Sequence, residues 1–325
     1  MKSSALFLMF VLMSFPFAER PAAGQTTPAG WNQIQNGLNL FHQHDNTRAV
    51  NALEPLLANA VSENNAEAEA LVSALLGPVY QKLGRFLDAE TSMNRSIALW
   101  TRLKGDNALE LVGPMANLGA LYFDAGRYSR AETLIARALE IDNSFPGHFR
   151  ARAMLMTNLG SVYFTEHKDE LAEEKCEEAL REFAPMDPGT GWDYAILGAV
   201  RLRAGRFEEA ESALLQALSI WKAQSDPVDP RVGNGLANLA VFYSVTNRPE
   251  KAEPLFEQAD AIFRKGGSDL TFVRQARAEY AKVEKSLGHK REAKRLEKEV
   301  EKMSAVSAEA VMTRNIVDVS SFMAR

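Results

Sequence analysis

Few residues of this chain combine the types and the spacing that catalysis or metal binding requires. His42 and His44 lie close together near a predicted helix end, where their side chains would diverge, whereas zinc needs several converging ligands. The sequence contains no glycine-rich phosphate loop, no nucleophile elbow and no HExxH pair. We therefore expect no catalytic residue, no metal site and no cofactor, and the sequence predicts that the protein is not an enzyme.

The single cysteine is the other residue with reactive chemistry. Cys176 lies four residues after Ala172, on the apolar stripe of a predicted helix. A single cysteine excludes an intramolecular disulfide, a CxxC redox pair and a thiolate zinc site. Because the sequence implies no basic partner that would activate the thiol, we interpret Cys176 as a core residue, with a nucleophile as the alternative.

Composition and charge exclude several classes of protein. The 325 residues are 46% hydrophobic, which is too apolar for a disordered chain. There are 37 lysines and arginines against 42 acidic residues, for a net charge of −5. This balance argues against nucleic acid as a partner, because binding to phosphates requires a basic face.

The N-terminus predicts a targeting segment rather than part of a fold. Lys2 precedes an apolar run from Ala5 to Phe17, and Ala22-Ala23-Gly24 supplies small residues before Gln25. This pattern is typical of a secretory signal peptide, residues 1–24, followed by a linker, residues 25–30. We expect cleavage near Gly24 and a mature protein that is secreted or periplasmic and has no membrane anchor.

The elements that must position any site are indicated by an internal repeat. Three segments align directly: LGPVYQKLGRFLDAE (76–90), LGALYFDAGRYSRAE (118–132) and LGAVRLRAGRFEEAE (197–211). Four weaker copies complete the series. A small residue opens every copy, at Gly37, Gly77, Gly119, Gly160, Gly198, Ala240 and Ala281, and a second small residue follows twelve positions later.

Each copy predicts a pair of helices. Leu118, Leu121 and Tyr122 recur at helical spacing before Gly126, where glycine can take the left-handed conformation that ends a helix. His167 replaces that glycine in one copy. The small residues are expected where two helix backbones approach closely. Since neither helix can bury its apolar face alone, the hairpins must stack on one another.

The pattern LGxxY, then glycine, then Ala-Glu resembles the tetratricopeptide repeat, and segments such as 116–141 resemble the kinesin light chain type. The resemblance covers residues 31–303. It implies an all-α, right-handed superhelical solenoid of about seven helical hairpins, with the first helix of each hairpin lining a concave groove. Its specificity for function is weak, because unrelated proteins use this repeat as a binding platform.

Carrying the groove positions of that family onto this chain implies an apolar and aromatic binding strip. Its central residues are Phe123, Met154, Phe164, Trp192, Leu202 and Val241. Such a strip suits an extended or helical segment of another protein. The alternative is that neighbouring repeats cover several of these side chains, which would make them part of the core.

These features predict an exported scaffold that binds a protein or peptide. The alternative is a structural assembly subunit that self-associates through the edges of the array or through its C-terminal tail, residues 304–325. Ala305 to Met312 could extend the last helix. The apolar residues near the end, among them Ile316 and Phe322, favour docking of the tail on a surface, with a flexible end as the alternative.

Overall fold

The computed structural model describes residues 28–43, 45–184, 187–224, 226–265 and 270–314. Within these ranges the chain forms fourteen α-helices and one short 3-10 helix (Leu109–Leu111), and it contains no strand. The predicted all-α class and the seven hairpins are confirmed. The helices are α1 (Pro28–His42), α2 (Asn46–Ser62), α3 (Ala66–Lys82), α4 (Phe86–Lys104), α5 (Val112–Asp124), α6 (Tyr128–Asn143), α7 (Phe149–Thr165), α8 (Asp169–Glu182), α9 (Thr190–Arg203), α10 (Phe207–Gln224), α11 (Pro230–Val245), α12 (Pro249–Phe263), α13 (Leu270–Ser286) and α14 (Lys290–Arg314).

The described residues divide into two units, one within residues 28–184 and the other within residues 187–314. The described part of the first unit holds α1–α8, and that of the second holds α9–α14. α1 begins at Pro28, three residues before the predicted start of the repeat array at residue 31. α14 continues through the alanine-rich segment to Arg314, which confirms the predicted extension of the last helix. The predicted signal peptide and the apolar end of the tail lie outside the described residues.

Left-handed residues end the first helix in six of the hairpins. Gly126 has φ 72° and lies two residues after the last residue of α5, in the turn that the sequence predicts. His167 takes φ 59° at the equivalent point after α7, so this histidine adopts the conformation that glycine provides elsewhere. The other residues with positive φ at this position are Gly84, Gly205, Asn247 and Gly288.

The first small residue of each copy lies where the two helices of a hairpin touch. A Cβ atom added to Gly119 would lie 2.6 Å from Cγ1 of Ile135 in α6. A Cβ atom added to Gly160 would lie 2.7 Å from Sγ of Cys176 in α8. Since real Cβ atoms do not approach other atoms so closely, these positions exclude a larger side chain. The same spacing of sixteen residues joins Gly37 to Leu53, Gly77 to Met93, and Gly198 to Leu214.

The remaining two copies carry alanine at this register. Ala240 and Ala281 are both buried, in α11 and α13. The residue sixteen positions after Ala240 is Phe256, which is also buried, in α12. The predicted close approach of the paired helices is therefore present in both units, and it keeps the second helix of each hairpin packed against the first.

Candidate functional site

The first unit contains three of the residues predicted to line a binding strip. Phe123, near the end of α5, is half-buried, and its ring lies 5.4 Å from that of Tyr128. Met154 and Phe164 in α7 are only 1% and 7% exposed. Of these three side chains, Phe123 alone presents appreciable surface.

The second unit contains the other three predicted residues. Leu202 is half-buried near the end of α9. Trp192, at the start of the same helix, is 6% exposed, and its ring packs 4.9 Å from the ring of Trp221 in α10. Val241 in α11 is 1% exposed. The two buried residues contribute to the core of this unit.

Four of the six predicted contact residues therefore offer almost no surface to a partner. Met154, for example, belongs to a buried cluster with Ala179 and Phe183. The physical reason is that side chains of other helices cover these positions, as the ring of Trp221 in α10 covers Trp192. The alternative interpretation, that repeats cover these side chains, applies to Met154, Phe164, Trp192 and Val241.

Some apolar surface stays open at the C-terminal ends of the first helices. In the first unit, the exposed Asp124 follows the half-buried Phe123, and Nε2 of Gln81, the chain neighbour of the exposed Lys82, donates a 2.8 Å hydrogen bond to Oδ2 of Asp124. This bond links α3 to α5. In the second unit, Val245 is 37% exposed at the end of α11. These helix ends combine apolar side chains with a polar border.

A second recurring arrangement joins successive hairpins. At the junction of α10 and α11, the Tyr243 hydroxyl donates a 2.7 Å hydrogen bond to Glu211, and Arg248 forms a 3.0 Å ion pair with the same carboxylate. The Arg248 guanidinium also lies 4.7 Å from the centre of the Tyr243 ring. Each of these three groups therefore contacts the other two.

The first unit repeats this triad of tyrosine, glutamate and basic residue at three junctions. Its members are Tyr80, Glu54 and Arg85; Tyr122, Glu90 and Arg127; and Tyr163, Glu132 and Lys168. In all four triads the basic residue follows the tyrosine by five positions. The tyrosines that the sequence places beside the small residues therefore hold neighbouring hairpins together.

The environment of these tyrosines shifts their acidity. Burial, followed by the hydrogen bond to Glu54, raises the pKa of Tyr80 to about 12. Burial and the hydrogen bond to Glu211 raise the pKa of Tyr243 to about 12 in the same way. A phenol beside a carboxylate resists ionisation because its anion would be repelled. The hydroxyl therefore remains a hydrogen-bond donor well above neutral pH.

The second unit also contains a cluster of titratable residues that the sequence patterns above do not predict. Nδ1 of His289 lies 3.0 Å from Oε1 of Glu253 and 3.1 Å from Oε2 of Glu284. Burial and the nearby Glu253 carboxylate raise the pKa of Glu284. The repeat alignment contains the signal, because Glu284 occupies the register of the triad tyrosine and His289 that of its basic residue.

Cys176 is a free thiol and fully buried in α8, which confirms its placement in the core. In the part of the chain that the structure describes, every helix is too short or too polar to cross a membrane.

Comparison with known proteins identifies the repeat. The model of the tetratricopeptide repeat family matches residues 67–144, 111–184, 149–223 and 191–265. The curated protein KINESIN LIGHT CHAIN-RELATED 3 of Arabidopsis thaliana is 25% identical over 222 residues, which are 65% of this chain. The matched part is 34% of that relative, so the chain spans about a third of its length.

Solved structures show the same fold at low identity. The apo form of RapI has a TM-score of 0.67 at 15% identity, covering 88% of this chain and 99% of RapI. A Rap protein complexed with Competence and Sporulation Factor has a TM-score of 0.65 at 14% identity, covering 85% of this chain and 76% of the Rap chain. BtubC (BKLC) from P. vanneervenii has a TM-score of 0.53 at 23% identity, covering 74% of this chain and 92% of the BtubC chain. The match of the family model across residues 67–265, more than half of the chain, shows that the chain belongs to the tetratricopeptide repeat family.

Proposed function

We propose that this protein is an exported, non-enzymatic scaffold that binds a protein or peptide segment at the C-terminal ends of its first helices. The observation that carries the proposal is the half-buried Phe123 at the end of α5. Leu202 occupies the equivalent position of α9 in the second unit. An apolar side chain that is held in place by packing and still exposes part of its surface is suited to anchor a partner.

The surroundings of Phe123 support a polypeptide ligand. Asp124 directly follows Phe123 in α5, and the hydrogen bond from Gln81, which precedes the exposed Lys82 in α3, fixes the Asp124 carboxylate. An apolar centre with a polar rim is the usual composition of an interface between proteins. The groups at this surface are thus able to contact both the side chains and the backbone of a bound segment.

Relatives add support of a general kind. The Rap structure was solved with Competence and Sporulation Factor bound to that protein. At 14% identity the likeness concerns the fold, so a peptide ligand for the present chain rests on its own surface residues. Export rests on the sequence pattern of residues 1–24, which predicts a secreted or periplasmic location.

The test is a binding experiment with surface variants. The exported protein is used to capture a partner from its own compartment, and the affinity for the purified partner is then measured by calorimetry. We expect Phe123→Ala to weaken binding about tenfold or more, because an anchor concentrates the binding energy. Circular dichroism checks that the variant retains its helical content.

Phe207→Ala is the matched control. Phe207 is 47% exposed at the start of α10, the second helix of its hairpin, so its loss removes a comparable ring from another face. We expect it to bind normally. Equal affinity of the Phe123→Ala, Leu202→Ala and wild-type proteins would contradict the proposed surface. Capture of only further copies of the chain itself would instead support the structural assembly subunit.

A further inference from the structure

The junction between α12 and α13 carries a different chemistry from the four triads. The spacing of five from Tyr243 to Arg248 recurs from Glu284 to His289, and Glu253 follows Ala252 as Glu211 follows Ala210. A carboxylate has thus replaced the tyrosine hydroxyl, and an imidazole has replaced the basic side chain. This junction therefore holds two carboxylate acceptors and one imidazole, whereas each of the four triads holds one carboxylate acceptor and two donors, a tyrosine hydroxyl and a basic side chain.

The side chains of Glu253, Glu284 and His289 converge in the structure. Nδ1 of His289 lies 3.0 Å from Glu253 Oε1 and 3.1 Å from Glu284 Oε2. One ligand atom from each residue lies within 4.8 Å of the other two. Because Nδ1 carries at most one hydrogen, it cannot donate a well-aligned hydrogen bond to both carboxylates. A single cation placed between the three atoms would satisfy all of them.

We propose that Glu253, Glu284 and His289 bind a divalent transition-metal ion of the zinc type. Zinc binds imidazole nitrogen and carboxylate oxygen at about 2.0–2.2 Å in a tetrahedral arrangement, which places neighbouring ligand atoms roughly 3.3–3.6 Å apart. The two distances from Nδ1 are slightly shorter than this, so small rotations of the side chains would admit the ion. Imidazole favours zinc, nickel and iron, whereas calcium and magnesium prefer oxygen ligands only. Water would complete the coordination.

The surroundings hold the ligands and leave a path for the ion. The Glu284 side chain is only 3% exposed, and Tyr280 in α13 lines the same cavity. Glu253 and Glu284 line a cavity of about 410 Å³. His289 is half exposed, so an ion can reach the site from solvent.

The basic groups of that cavity already have acidic partners. Arg264 forms a 2.8 Å ion pair with Asp260, and Arg295 is hydrogen-bonded to Glu292. The cavity is lined by five acidic residues and two arginines, so negative charge predominates here; the acidic residues are Glu253, Glu257, Asp260, Glu284 and Glu292. A bound cation would offset the repulsion between Glu253 and Glu284. It would also tie α12, α13 and the turn before α14 together.

The experiment is zinc binding by the purified protein after treatment with a chelator. We expect calorimetry to show one saturable Zn²⁺ site per chain, and the melting temperature to rise by about 2–4 °C because the ion binds the folded state. Co²⁺ should give visible absorption bands of a protein-bound ion. Glu253→Gln and His289→Ala should each lose the site, and Ca²⁺ and Mg²⁺ should not shift the melting temperature.

Two variants separate metal binding from folding. The pair Glu284→Tyr and His289→Arg recreates the triad of the other junctions, so it should fold normally and bind no Zn²⁺. His148→Ala removes a histidine that lies 3.1 Å from Asp142 in the first unit, and it should retain the zinc site. The proposal is overturned if the wild type binds no Zn²⁺, if all variants bind it equally, or if Ca²⁺ stabilises the protein as much as Zn²⁺ does.

Discussion

The hydroxyl of Tyr243 in α11 donates a 2.7 Å hydrogen bond to Glu211 in α10, and so joins two successive hairpins of the second unit. The substitution Tyr243→Phe removes this hydroxyl and leaves the ring in place, so the Glu211 carboxylate loses one hydrogen-bond donor. We expect the free energy of unfolding to fall by about 1 kcal/mol, as for a typical hydrogen bond. Urea unfolding followed by circular dichroism measures this loss.

Tyr194→Phe is the control for that change. Tyr194 is partly buried in α9 of the same unit, and its hydroxyl bonds to none of the described residues. We expect its stability to match the wild type. An equal loss in both variants would show that removing any tyrosine hydroxyl lowers stability, and would contradict a specific contribution from the bond to Glu211.

The raised pKa values of Tyr80 and Tyr243 predict alkaline unfolding. Each pKa rises from 10.0 to about 12, so the folded chain holds these protons more tightly than the unfolded chain does. Their contribution to stability is therefore complete below pH 10 and is lost as the pH rises through about 12. Phenolate absorbance and helicity, followed together against pH, test this. Ionisation of all tyrosines near pH 10 with the helices intact would contradict it.

The contact between Gly119 and Ile135 predicts severe overpacking in Gly119→Leu. The added side chain would enter a space where even a Cβ atom lies 2.6 Å from Ile135. We expect a loss of stability of about 3 kcal/mol or more, measured by thermal melting. Ala136→Leu, on the exposed face of α6, should melt like the wild type. The loss in the double variant Gly119→Ala, Ile135→Ala should be smaller than the sum of the losses in the two single variants, because the clash with Cγ1 is absent once Ile135 is shortened.

Cys176 should be inert in the folded protein. Its side chain is fully buried against Gly160, so a thiol reagent cannot reach it. We expect no reaction under native conditions and one thiol titrated per chain in denaturant. Rapid modification of the native protein would contradict the core placement and favour a reactive thiol.

Export predicts cleavage between Gly24 and Gln25. N-terminal sequencing of the protein recovered from the culture medium or the periplasm should begin at Gln25, since the small residues Ala22 and Gly24 suit signal peptidase. Replacing Ala22 with a charged residue should block cleavage and serves as the control. Recovery of the uncut chain, still carrying Met1, from the cytoplasm would contradict this prediction.

The hairpin architecture could be predicted because its determinants are local. The small residues at Gly119 and Gly160, the apolar positions at helical spacing and the glycine at Gly126 all act within one hairpin. Even the unusual His167 could be placed in a left-handed turn, since the alignment put it at the glycine position. Cys176 could likewise be placed in the core from its spacing after Ala172.

The exposed part of the binding strip could not be predicted in the same way. Phe164 and Phe123 occupy the same register of their helices, yet Phe164 is buried whereas Phe123 is half-buried. Exposure depends on which side chains of neighbouring helices cover a position, and a repeat pattern does not contain that information. The sequence by itself determined the helices, their pairing and the positions of closest approach, because these follow from periodicity and residue size. Only the tertiary structure decided which apolar residues face solvent and brought Glu253 beside Glu284 and His289, because those relationships depend on packing between hairpins.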